Sequence, residues 1–368
     1  MRNRFFVPLG AVRLVAVAMV WAPVLVAAQA PPSAMVNQRE EAALEAARKA
    51  SPRSGDEAMA FFENEVDAAI AKALETVFDP AKPLSPSPRT AWGDPDLRGH
   101  WMVETYTPLQ RPDNVTKALY TPQEAIEAFR AAAIEDAGVD PATVHYDWKE
   151  FGMDGWQSAI RPSLRTSLIV DPADGKLPAL TPEGRRRREA EERGNSVLTR
   201  SLVERCVTGN QGPPRIGARD TDSQIHQVPG YVIMVTQSNQ DVRIIPVDGR
   251  PPLDSSVRSW LGSPSGHWEG DTLVVKTTNF HPDRVWRASA GDMQLEERFT
   301  RVDADTLLYR FTVTDPETYV QPWTVENPLP RSRPGIFEWA CHEQNYGLIN
   351  VVTGAQIRAT EYEAGLPK

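Results

Sequence analysis

From residue 231 onward the chain alternates apolar and polar side chains in short runs. Tyr231–Gln237, Val242–Val247, Asp271–Phe280, Leu295–Val302, Thr306–Thr314 and Phe337–Tyr346 are rich in β-branched and aromatic residues, and Gly, Pro or Asp separates one run from the next. Successive strands at this spacing, with no helix between them, predict an antiparallel meander. Closure of that meander would remove its exposed edges. The expected fold is mainly β (α+β): a meander closing into a calycin-like β-barrel, with peripheral helices and an N-terminal helical arm.

The helical period appears upstream. Met59, Phe62, Val66, Ile70, Ala73 and Val77 recur at spacings of three and four, which predicts an amphipathic helix over 54–78, preceded by a shorter one over 38–50. Thr121-Pro122 with Glu124 supplies an N-cap, a first-turn proline and a capping-box acid, so a helix is predicted from about 122 to 137. Thr181-Pro182-Glu183 opens another over 182–193, whose arginines 185–188 lie within a turn of Glu189, Glu191 and Glu192 and read as a solvated, salt-bridged face. Pro80, Pro83, Pro86, Pro88 and Pro95 mark an extended linker. The predicted organisation is a leader over 1–28, a helical arm over 29–79, a linker over 80–95 and a β-rich main domain over 96–368.

The leader is read from Arg2 and Arg4 ahead of an apolar run from Leu14 to Val26, with Val26 and Ala28 meeting the small-residue rule for cleavage. Its removal takes away three arginines and no acid, so the formal charge moves from −9 to −12. A chain this acidic is a poor partner for nucleic acid or an anionic membrane, and no span is expected in the mature chain. The address is periplasmic or extracellular. An oxidising compartment favours pairing Cys206 with Cys341, the two cysteines of the chain.

The stretch Gly266-His267-Trp268-Glu269-Gly270-Asp271-Thr272-Leu273-Val274-Val275, with Thr278-Asn279-Phe280 after it, resembles a signature of a large family of secreted bacterial proteins, as does Ala340-Cys341-His342-Glu343-Gln344-Asn345-Tyr346-Gly347. The resemblance covers roughly 92–355. It implies export and a domain type, and no reaction.

Period-two alternation selects candidate site residues. Leu273, Val275, Thr277 and Asn279 share one strand face, Leu295, Glu297 and Phe299 another, and Leu307, Tyr309, Phe311 and Val313 a third. Burial favours the protonated form of a carboxylate, as a general acid or base near neutrality requires. The competing reading of Glu297 is a carboxylate neutralised by a buried arginine. His342 would complete an acid–base pair with Glu297, with Tyr309 as donor. Trp268, Asn279, Trp286 and Tyr346 are the candidate ligand-binding side chains, since large aromatics at a barrel mouth suit a small, partly apolar molecule. The six histidines show neither HxH nor HExxH spacing, so no metal site is expected, and no sequence motif names a cofactor. Three functions remain open: a binding protein for such a molecule, a hydrolase, lyase or isomerase using the same pocket, and an envelope protein whose helical arm contacts a protein partner.

Overall fold

The computed structural model describes residues 77–82, 84–137, 160–192, 200–208, 212–216, 222–284, 286–332, 335–343 and 345–363. The leader and nearly all of the helical arm lie outside these residues.

Among the described residues, ten strands form two antiparallel sheets. The smaller one contains β1 (Gly99–Trp101), β3 (Ser223–Val228), β4 (Tyr231–Thr236) and β5 (Val242–Pro246) in the order β1-β3-β4-β5. The larger runs β2-β10-β9-β8-β7-β6, built from β2 (Ile169–Asp171), β6 (Ser263–Glu269), β7 (Thr272–Thr278), β8 (Gln294–Arg301), β9 (Thr306–Thr314) and β10 (Trp323–Pro330). Five of the predicted strands appear within a residue or two of their expected bounds. The mainly β class holds, and the strands divide between two sheets.

The sheets meet at two seams. At the first, Met102 N–H donates to the Pro330 carbonyl and Ser332 N–H to the His100 carbonyl, both at 2.9 Å, so the end of β10 runs beside β1. At the second, β5 lies against β6 without a backbone ladder. Gly266 on β6 makes the approach possible: a Cβ there would meet Ile245 Cγ2 at 2.9 Å and Val247 Cγ1 at 3.0 Å. Gly266→Val is therefore expected to cost about 1–3 kcal/mol by overpacking, read as a lower urea midpoint; an unchanged midpoint would show that this seam is loosely packed.

Between the sheets, Trp101, Ile225, Met234 and Ile245 from one face Leu273, Phe299, Phe311 and Trp323 from the other in a single apolar core. Each fully buried side chain of this size contributes roughly 1.5–3 kcal/mol. The alternation along β7, β8 and β9 buries Leu273, Val275 and Thr277, then Leu295, Glu297 and Phe299, then Leu307, Tyr309, Phe311 and Val313.

Helix α1 (Pro122–Ala137) has the predicted bounds and the predicted capping box: Thr121 N–H donates to Glu124 Oε2 at 2.8 Å and Glu124 N–H returns to Thr121 Oγ1 at 3.4 Å. In α2 (Pro182–Glu192), Arg186 and Arg187 pair with Glu183, and Arg187 also with Glu317, so these ion pairs use acids other than the Glu189, Glu191 and Glu192 named from the sequence. The proline-rich segment has little regular structure and lies along the larger sheet, with Ser85 N–H on the Val302 carbonyl and Arg89 paired with Asp271.

One expectation is overturned. Phe337–Tyr346 is not a strand: it makes no ladder, and Tyr346 opens α3 (Tyr346–Glu363). The segment is held instead by Phe337 N–H on Gln237 Oε1 at 3.3 Å, by Asn345 Nδ2 on the Glu204 carbonyl at 2.9 Å and by the disulfide. That disulfide, Cys206–Cys341, joins Cα atoms 5.7 Å apart and closes a separation of 135 residues. Among the described residues, no helix is long and apolar enough to cross a membrane.

Candidate functional site

A polar centre sits inside the apolar core. On β5, Ile245 faces inward, and a side chain two residues earlier must share its face; Arg243 therefore enters the space between the sheets, where it is 6% exposed. From the opposite sheet β8 brings Glu297 (1%) and β9 brings Tyr309 (2%). Glu297 and Tyr309 come together because Phe299 pairs with Tyr309 in the β8–β9 register, which places Glu297 one inward position along the neighbouring strand.

The hydrogen bonds form one network. Arg243 spans the carboxylate of Glu297, Nη1 to Oε1 at 3.0 Å and Nη2 to Oε2, and Nη2 also donates to Thr277 Oγ1 at 3.1 Å. Tyr309 donates its hydroxyl to Glu297 Oε1 at 2.8 Å and accepts from Arg215 N–H at 3.4 Å. Arg215 pairs in turn with Asp241, Nη2 to Oδ2 at 2.9 Å, with both side chains buried. Two buried ion pairs thus share one tyrosine.

Electrostatics follow from this packing. Burial pulls the Arg243 guanidinium down, but the charge and hydrogen bonds of Glu297 outweigh it, so Arg243 is held above its ordinary value. Arg215 moves the other way, because burial exceeds what Asp241 returns. Tyr309 is raised well above the ordinary phenol range, first by burial and then by the adjacent Glu297 charge. Arg284, buried with its guanidinium 4.4 Å over the Phe280 ring, is pushed down to about 9 by burial and by the nearby charges of Arg215 and Arg243. Tyr309 therefore remains a protonated donor, and both oxygens of Glu297 are engaged.

The network opens on a cavity of about 30 Å³, room for a water molecule or two. Its polar lining is Arg215, Ser223, Thr236, Arg243, Glu297 and Tyr309; Trp101, Met234, Phe299 and Leu329 are among its apolar walls.

Of the residues selected from the sequence, the structure brings Glu297 and Tyr309 together at this cavity. The others lie elsewhere. His342 is exposed on the irregular segment before α3, and Tyr346 is 67% exposed at the start of that helix. Trp268, at the far end of β6, is half-buried, with its indole N–H enclosed and without a hydrogen-bond partner. Asn279 follows β7 with φ of 56°, and its amide donates to the carbonyls of Leu253 and Asp254. Trp286 is buried and stacks on Trp323 with ring centroids 5.8 Å apart. Among the described residues no group of three or more His, Cys, Asp or Glu side chains is placed to hold a metal ion.

Sequence reasoning missed Arg243, Arg215 and Asp241. The signal for Arg243 was present, since Val242-Arg243-Ile244-Ile245 puts it on the face of Ile245. Arg215 and Asp241 lie outside the strands, where no period applies. Comparison of the chain with protein-family models, with curated proteins and with solved structures gave no match in any of the three.

Proposed function

We propose that this is an exported β-sheet protein that binds a small, partly apolar molecule in the cavity between its two sheets. The observation that carries the reading is the cavity's construction: apolar walls around a hydrogen-bonded Arg243–Glu297–Tyr309 centre. Such a mixture of mostly apolar lining and a few fixed polar groups is the usual make-up of a ligand site. The cavity is small, so the ligand is small or seats only its polar end there, with the unbranched, adaptable side chain of Met234 supplying room.

Binding is favoured over acid–base catalysis by the saturation of Glu297 and by the exposed position of His342 away from the cavity lining. Export is supported by the charged and apolar leader and by the Cys206–Cys341 bridge, which suits an oxidising compartment. A calycin-like closure of the two sheets belongs to the same proposal, supported by the hydrogen bonds between β1 and the end of β10 and by the close packing at Gly266.

Native mass spectrometry of the protein purified from its own compartment tests the function. The wild-type chain is expected to carry a small molecule, Met234→Trp to lose it while keeping the native near-UV circular dichroism, and Tyr309→Phe to hold it about tenfold more weakly, roughly the value of one buried hydrogen bond. A wild-type chain that carries nothing, or a Met234→Trp chain that retains the same mass, overturns the assignment to this cavity.

A further inference from the structure

The polar groups around the cavity differ in what they have left to offer a guest. Glu297 is the carboxylate of the lining, and it already accepts three hydrogen bonds: Oε1 takes Arg243 Nη1 at 3.0 Å and the Tyr309 hydroxyl at 2.8 Å, and Oε2 takes Arg243 Nη2. The Tyr309 hydroxyl is used in both directions, since its one proton goes to Glu297 while its oxygen accepts from Arg215 N–H at 3.4 Å. Arg243 is different. A guanidinium carries five N–H groups and accepts nothing, and the Nε–H of Arg243, enclosed by protein, has no hydrogen-bond partner among the described residues. Glu297 does not serve it, because the two carboxylate oxygens are taken by the Nη1 and Nη2 ends of the fork. An enclosed donor left unmade costs about 1–3 kcal/mol, more where the group is charged, and Arg243 borders the cavity.

We infer that the molecule taken by this cavity presents to Arg243 an acceptor oxygen with no proton of its own, the oxygen of a ketone, an ester or a carboxylate. The inference rests on the binding role proposed above and names the head group which that role requires. Charge points the same way as the hydrogen bonds. The lining holds two guanidiniums, Arg215 and Arg243, for the one carboxylate of Glu297, with Asp241 pairing Arg215 from outside the lining. An ammonium guest would add a third cation beside these two and compete for a carboxylate that is already engaged by Arg243 and Tyr309.

Size agrees with a head group of this kind. A carbonyl or carboxylate occupies about the space of the water molecule or two that the cavity of about 30 Å³ accommodates. Trp101, Met234, Phe299 and Leu329 then line the way for the apolar carbons next to it.

Three probes with the same number of carbons and different head groups test the inference on the full-length protein: hexanoate, butyl methyl ketone and hexylamine, each titrated calorimetrically. Hexanoate and the ketone are expected to bind the wild-type chain roughly tenfold or more tightly than hexylamine, the worth of one hydrogen bond to a charged group, and to lose that binding in Met234→Trp. Arg243→Lys keeps a positive charge opposite Glu297 without the Nε–H, and is expected to hold both oxygen probes about tenfold more weakly than the wild type. Hexylamine that binds as tightly as hexanoate, at a site closed by Met234→Trp, overturns the inference and leaves the cavity a binding site. An unchanged hexanoate affinity in a natively folded Arg243→Lys also overturns it. So do oxygen probes that fail to bind, or whose binding Met234→Trp leaves intact; a molecule retained in native mass spectrometry and lost from Met234→Trp would then uphold the binding role with a different head group.

Discussion

Glu297→Ala is expected to lower the free energy of unfolding by about 3–5 kcal/mol, the usual cost of stranding one member of a buried ion pair. The substitution leaves Arg243 enclosed between the sheets without its counter-charge, and removes the acceptor of both the guanidinium and the Tyr309 hydroxyl. Little nearby offsets the loss, because Thr277 accepts only one of the Arg243 hydrogen bonds, Asp241 acts on Arg243 only through its charge while pairing with Arg215, and Arg284 adds positive charge to the same region. Removing both charges is a different experiment. Arg243→Met with Glu297→Leu replaces the pair with apolar groups of similar volume, and such replacements often come out neutral or stabilising; the double variant is expected to lie above the single one. Urea denaturation of the two proteins checks this. A loss below about 1 kcal/mol in Glu297→Ala would mean that the pair contributes little to folding.

The second large effect concerns Cys206 and Cys341. Replacing both with alanine is expected to destabilise the protein by about 3–5 kcal/mol, since the chain-entropy model gives about 5 kcal/mol for a closed loop of this length, before any native strain is subtracted. Alanine is the right replacement at 206, where φ is 54°: glycine would also relieve a left-handed backbone and blur the comparison. The signature separating this from a lost contact is a larger denaturant slope, because the unbridged unfolded chain exposes more surface. A midpoint shift worth less than about 1 kcal/mol, with no change in slope, would show that the unfolded chain is not restrained by the bridge.

Local signals account for what could be read in the sequence. β9 appears over Thr306–Thr314 and α1 over Pro122–Ala137 with the expected bounds, because alternation in one and a capping box in the other are complete within a few residues. β10 was invisible. Its Pro328 and Pro330 argue against a strand between two partners, yet β2 pairs only with Thr324 and Val325, and the Pro330 carbonyl points away from β9 toward Met102. The prolines thus sit where no donor is needed on that side. β6 was missed for a related reason, its Ser263, Pro264, Ser265 and Gly266 being too small and polar to look like a strand until β5 is seen to need the space.

The site was half legible. Alternation delivered Glu297 and Tyr309, since each strand reports its own inward face. It gave no information on what stands across the core, so the choice between a free acid and one neutralised by an arginine stayed open until Arg243 was seen spanning it. His342 is exposed and off the cavity lining because its segment has no neighbouring strand to regularise it, so the strand expected over Phe337–Tyr346 does not form.

The bridge between Cys206 and Cys341 encloses all of β3 to β10. In covalent terms the greater part of both sheets is a ring, not a line. A protease that nicks the exposed loop around Leu253 and Val257 opens the ring without releasing either piece, so a single cut there leaves one molecule.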